Sequence, residues 1–97
     1  MLTHMITPWY VYILECHDGS FYVGITDDLA KRLERHNAGK AATWTKHRRP
    51  VKMVFAEEHP TKSSARRREL EIKGWRREKK IALINTSGNL LREPMKG

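Results

Sequence analysis

The side chains best suited to chemistry in this chain are Tyr12, Tyr22, Arg32, His36 and Glu69. Glu69 is the first anomaly. On a helix from about residue 62 to 73, Ala65, Glu69 and Ile72 fall at i, i+4 and i+7 and share one face. Ala65 and Ile72 belong in a core, so a carboxylate is drawn toward the apolar side, where an unpaired charge is costly. It stands there either as the partner of one of the many arginines or as a metal-binding or catalytic carboxylate. His36 is the second anomaly. It follows Leu29 and Leu33 at i, i+4 and i+7, with Arg32 at the border of the same stripe. A lone histidine there is a packing residue or a functional one, and Arg32 one turn before it favours function. The tyrosines depend on a hairpin register. A three-residue loop His17-Asp18-Gly19, with Gly19 left-handed, pairs Leu14 with Tyr22 and Tyr12 with Gly24, so both tyrosines face the same way. A two-residue loop would separate them. Gly24, inside a strand, points to close approach by another backbone or a ligand.

These residues need elements to carry them. Trp9–Cys16 (WYVYILEC) is rich in aromatic and β-branched residues, and Phe21–Ile25 (FYVGI) follows a turn, so the two predict a β-hairpin. Asp27 or Asp28 can cap a helix running to about Ala38, with Gly39 as its stop. Lys40–Pro50 reads as a basic loop holding Trp44. Val51–Glu57 is a third strand with Val51, Met53 and Phe55 alternating, broken by His59-Pro60-Thr61. Thr61 or Ser63 can cap a second helix through about Lys73, and Trp75–Ile84 predicts a third, short and very basic one. The expected division is an N-terminal extension over 1–7, one domain over 8–84 and a tail over 85–97.

Charge narrows the partner. Nineteen Lys and Arg against eleven Asp and Glu give +8 on 97 residues. Residues 1–30 carry no Lys or Arg, whereas 31–80 carry seventeen bases and six acids. Basic charge concentrated in one stretch builds a face for a polyanion, with a solvated basic surface as the plain alternative. A membrane role is excluded as an expectation: the basic segments lack a broad apolar face, and no apolar run approaches the roughly 20 residues of a span. The single cysteine, Cys16, rules out an internal disulfide and a multi-cysteine zinc knuckle and suits a cytoplasmic location. Met1–Thr7 lacks the basic start of a signal peptide. A domain this small buries only roughly 60–70% of its unfolded surface, which leaves little room for a deep pocket.

Taken together, Tyr10-Val11-Tyr12, Tyr22-Val23-Gly24, Arg32, His36 and Glu69 resemble the GIY-YIG endonuclease domain. The spacing is tight: ten residues separate Tyr12 from Tyr22, ten Tyr22 from Arg32, and four Arg32 from His36. The likeness covers about residues 8–84. His36-Asn37-Ala38-Gly39-Lys40, Arg48-Arg49-Pro50-Val51 and Ile72-Lys73-Gly74-Trp75 are similar to the small single-domain bacterial branch, related to the Slx-type nucleases that cut branched DNA. Tyr10 departs from the pattern, standing where the first motif normally opens with Gly.

The resemblance implies an α+β fold, a three-stranded antiparallel sheet flanked by helices in the order β-β-α-β-α-α. It implies a metal-dependent endonuclease hydrolysing phosphodiester bonds in DNA, branched or single-stranded, in repair or recombination. Glu69 would hold one divalent cation, Mg²⁺ or Mn²⁺, as a hard carboxylate suits. Tyr12 would act as general base, although a phenol titrating near 10 must be lowered or have its proton relayed. Arg32 would supply charge to the scissile phosphate, and His36 and Tyr22 would orient the water or the phosphate. Lys46, Arg48, Arg49, Arg66 and Arg67 would track the backbone; Trp44 would stack on an unpaired base or cover the core. The competing expectations are a nucleic-acid-binding module without catalysis, targeted by a protein partner, and a protein-interaction domain.

Overall fold

The computed structural model describes residues 7–91; the expected extension over 1–7 and the end of the tail lie almost wholly or entirely outside them. β1 (Trp9–Cys16) and β2 (Phe21–Thr26) form the hairpin, with Tyr12 opposite Gly24 and Leu14 opposite Tyr22. The turn takes the three-residue form. Gly19 has φ +84°, where only glycine is unstrained, and Ser20 carbonyl accepts from Cys16 N–H at 2.8 Å. β3 (Val51–His59) pairs antiparallel with the other side of β1, giving the order β2-β1-β3.

β1 is the central strand and is covered on both sides. Val11, Tyr12, Ile13 and Leu14 are therefore all buried, and the strand reads as an unbroken apolar run rather than an alternation. On one side Val11, Ile13, Val23 and Phe55 pack with Ala65 and Ile72 of α3 (Lys62–Lys73). Leu83 and Ile84 of α4 (Arg77–Ile84) extend that layer. On the other side Tyr12, Leu14, Cys16 and Val51 meet Leu29 and Leu33 of α1 (Leu29–Asn37). Caps set the helix starts. Asp28 accepts from Lys31 N–H at 3.0 Å and Thr61 from Ser64 N–H at 3.0 Å.

Three features depart from the sequence expectations. First, Ile13 pairs with Phe55 but Leu14 with Met53, so β3 bulges at Val54. The extra residue reverses the alternation: Val51 and Met53 face α1, while Phe55 faces α3. Second, the basic loop contains a single helical turn, α2 (Thr43–Lys46), too short to show a period. Third, the segment after α4 does not trail away. Asn89 is buried; its amide donates to Val54 and Ile84 carbonyls and accepts from Ala56 and Leu91 N–H, while Leu90 N–H donates to Ala56 carbonyl. A segment without apolar periodicity is thus fastened to the free edge of β3, mainly by the Asn89 side-chain amide and by one backbone hydrogen bond.

Asn89→Ala should lower stability by about 2–4 kcal/mol, because it strands buried backbone groups of Val54, Ala56 and Ile84 at roughly 1–3 kcal/mol apiece before relaxation; urea denaturation measures it. Gly24→Ala should cost about 1–3 kcal/mol. Its Cβ would lie 2.5 Å from the Tyr12 hydroxyl oxygen and 2.6 Å from Tyr12 Cζ, so the ring has to leave its place.

Candidate functional site

Tyr12 projects from the middle of β1 and lies across Gly24 of the neighbouring strand. The close approach expected at Gly24 is therefore that of a side chain. The phenol reaches His36, 2.8 Å from its hydroxyl oxygen to Nε2. His36 lies in the last turn of α1, one helical turn after Arg32, and its Nδ1 is 2.8 Å from Thr45 Oγ1. Tyr12, His36 and Thr45 are all 1% exposed or less. Tyr22 stands over the pair, with ring centroids 6.4 Å from Tyr12 and 5.1 Å from His36. Trp44 continues the aromatic column, its ring 6.1 Å from Tyr22 and nearly parallel to it.

Electrostatics follow from burial. Loss of solvent, then the neighbouring Tyr22, pushes the Tyr12 phenol up, Arg32 pulls it down, and Glu69 pushes it up again. Burial, reinforced by the Arg32 charge, holds His36 down at about 4. At neutral pH the phenol is protonated and the imidazole uncharged. On balance the surroundings raise Tyr12 rather than lower it, and its hydroxyl lies against an uncharged imidazole.

Glu69 lies on α3, 4% exposed, between Ala65 and Ile72 as its spacing requires. Its oxygens meet Arg66 at 2.6 Å and Lys73 at 3.2 Å, so the ion-pair reading describes its present partners. Arg66 and Lys73 themselves are largely solvent-exposed, but Glu69 is buried, so they can leave it only as another cation takes their place. Among the described residues no cluster of three or more acidic, histidine or cysteine side chains could cage a metal.

The basic candidates divide. Lys46 and Arg67 are exposed. Arg48 packs on Trp44, its guanidinium carbon 4.1 Å from the ring centroid, and pairs with Asp18 at the hairpin tip at 3.3 Å. Arg49 donates to Lys46 and Asn37 carbonyls at 2.9 and 3.3 Å, tying the loop to the end of α1. Trp44 retains 37% exposure beside the tyrosines. Two contributors escaped the sequence. Thr45 sits in what reads as an exposed basic loop, and only its β-branched type amid cations hints at an inward side chain. Asn37 both donates to and accepts from the Val51 backbone, at 2.9 and 2.8 Å, and so fixes α1 against β3.

The depressed His36 has a stability consequence. The folded chain protonates His36 near pH 4, an unfolded one near 6.5. Between these values the unfolded state binds more protons, so stability rises with pH. This contribution, on the order of 3 kcal/mol, is complete above 6.5 and lost as pH falls toward 4. Urea unfolding should show lower stability at pH 4.5 than at pH 7, with a smaller difference in H36Q; a His36 ring resonance titrating near 6.5 would contradict it.

Comparison with known proteins identifies the family. Residues 8–82 match the GIY-YIG catalytic domain. A UPF0213 protein of Staphylococcus saprophyticus is 50% identical over 76 residues, spanning 78% of this chain and 93% of its own. One of Staphylococcus aureus (strain Mu3) is 51% identical over 75 residues, or 77% and 92%. The solution NMR structure of a UPF0213 protein from Bacillus halodurans superposes with a TM-score of 0.54 at 43% identity, covering 84% of this chain and 86% of that one. With the antiparallel sheet, the paired tyrosines and the helix-borne glutamate in place, the chain belongs to the GIY-YIG catalytic domain family, a nuclease family.

Proposed function

We propose that this protein is a metal-dependent endonuclease that hydrolyses phosphodiester bonds in DNA, selective for branched or single-stranded substrate and serving repair or recombination in the cytoplasm. The observation that carries the reading is a buried tyrosine bonded to a buried, uncharged histidine, with Arg32 and Glu69 near enough to act on its ionisation. A structural tyrosine needs one partner; it has no use for an arginine and a carboxylate of opposite effect beside it.

Glu69 would hold one Mg²⁺ or Mn²⁺, with Arg66 and Lys73 giving way to it. That ion, when bound, supplies positive charge to the phosphoryl and leaving oxygens. The chain's own groups do the rest. As water oxygen forms its bond to phosphorus, Tyr12 oxygen takes the water proton and passes its own toward His36 Nε2; the P–O3′ bond breaks and O3′ leaves as a hydroxyl after protonation by solvent. Arg32 stabilises charge on the phosphate. The arriving phosphate offsets the Arg32 charge that holds His36 down, which favours the imidazolium at that moment. Tyr22 and Trp44 bound the site on its open side, and Trp44 offers a flat surface to an unpaired base. Lys46, Arg48 and Arg67 would follow the backbone. A protein partner for targeting fits so small a domain.

Labelled single-stranded, duplex, flap and junction DNA with Mg²⁺ or Mn²⁺ test the reading. Glu69→Ala should reduce cleavage at least roughly 100-fold while leaving binding within about threefold. If the basic face contacts several phosphates, affinity should fall steeply with salt. Binding without cutting on every substrate would favour a non-catalytic nucleic-acid module, and a flat salt response would sink both.

A further inference from the structure

We propose that Thr45 is a positioning residue that sets the tautomer of His36, and so gives the proton of Tyr12 a single direction in which to leave. The inference rests on the nuclease reading for its functional meaning, but the tautomer itself does not. Thr45 is fully buried in a one-turn helix whose neighbours Trp44 and Lys46 are exposed. Its Oγ1 lies 2.8 Å from His36 Nδ1 and 3.1 Å from Ala42 carbonyl oxygen.

Counting hydrogens orients the chain. Tyr12, neutral His36 and Thr45 bring three mobile hydrogens. If Tyr12 O–H donates to His36 Nε2, then Nδ1–H donates to Thr45 Oγ1, and Thr45 O–H donates to Ala42 carbonyl. All three are used, along the contacts the structure contains. The reverse order turns Thr45 O–H to Nδ1 and Nε2–H to the Tyr12 oxygen. It abandons the Ala42 contact, whose carbonyl already accepts from Lys46 N–H at 3.0 Å. It also leaves the hydrogen of a phenol that is 1% exposed to find a partner outside this chain of contacts. Stranding a buried donor is the costlier choice. The bond at one imidazole nitrogen thus determines what the other can do.

The order matters to the chemistry. With Nδ1 protonated, Nε2 presents a lone pair to the phenol, so the Tyr12 oxygen can give up its own hydrogen as it takes another. With Nε2 protonated, histidine would occupy a lone pair of the phenol and could not receive its hydrogen. Thr45 thereby links the loop bearing Trp44, Lys46 and Arg48 to the proton path, though it touches neither substrate nor water itself.

The test compares Thr45→Val, which keeps shape and removes the hydroxyl, with Thr45→Ser, which keeps the hydroxyl. Long-range proton–nitrogen NMR of ¹⁵N-histidine protein, without DNA or metal, reads the tautomer directly. Wild type and T45S should show His36 protonated at Nδ1, and T45V should shift toward Nε2. In cleavage assays T45V should lose at least roughly tenfold in kcat with KM unchanged, and T45S should stay within about threefold. A wild-type His36 protonated at Nε2 overturns the proposal, as does a folded T45V that keeps the Nδ1 tautomer. If T45V fails to fold, the wild-type and T45S spectra still decide. If wild type cuts nothing, the nuclease reading fails while the tautomer assignment stands or falls on the spectra.

Discussion

The hydrogen bond between Tyr12 and His36 is the interaction to which the rest of this fold is fitted. Both groups are almost wholly removed from water, so each has to find its partner inside the protein. Their meeting requires three independent local solutions. Gly24 leaves room for the phenol to cross β2. The left-handed Gly19 sets the register that puts Tyr12 opposite Gly24. α1 starts at its Asp28 cap, which brings His36 round to the sheet two turns later. Loss of any one would leave a buried polar group unpaired rather than merely loosen a contact.

Two-sided coverage of β1 lets a domain of this size support such a pair. One side of the sheet is a largely apolar layer with α3 and α4, interrupted by Glu69. The other side combines Leu14, Val51, Leu29 and Leu33 with the tyrosines and His36. The β3 bulge serves both, turning Phe55 to the first layer and Val51 and Met53 to the second. Asn89 then closes the β3 edge near that bulge, satisfying backbone groups that the shifted register leaves to be paired.

The charges are arranged so that attraction is kept ready rather than spent. Glu69 is the only buried carboxylate among the described residues, and it is held by two cations whose own side chains remain in water. Because the carboxylate is buried, those cations can be exchanged for another cation but not simply lost. Arg32 is different. Its positive charge bears on Tyr12 and His36 together, favouring phenolate and opposing imidazolium. A phosphate bound there would relax both effects at once.

Much of this was legible in the chain. The inward face of Glu69 and the stripe placing His36 beside Leu29 and Leu33 follow from local periodicity, while turn chemistry and capping narrowed the hairpin to two registers and each helix start to two caps, because the sequence encodes these within a few residues. No helix among the described residues is long and apolar enough to cross a membrane. What the sequence left open depends on contacts between distant segments. The bulge shows only in the pairing of β3 with β1, and it divides β3 between the two layers. The burial of Thr45 depends on His36, nine residues earlier, and that of Asn89 on Ala56, thirty-three residues earlier. The direction in which Tyr12 is perturbed could not be read from its type, since burial and three neighbouring charges from different elements compete and only their distances settle the balance. Sequence by itself determined the elements and the cast of polar residues; tertiary structure decided which of them share protons, because hydrogen bonds between remote segments leave no periodic trace in the chain.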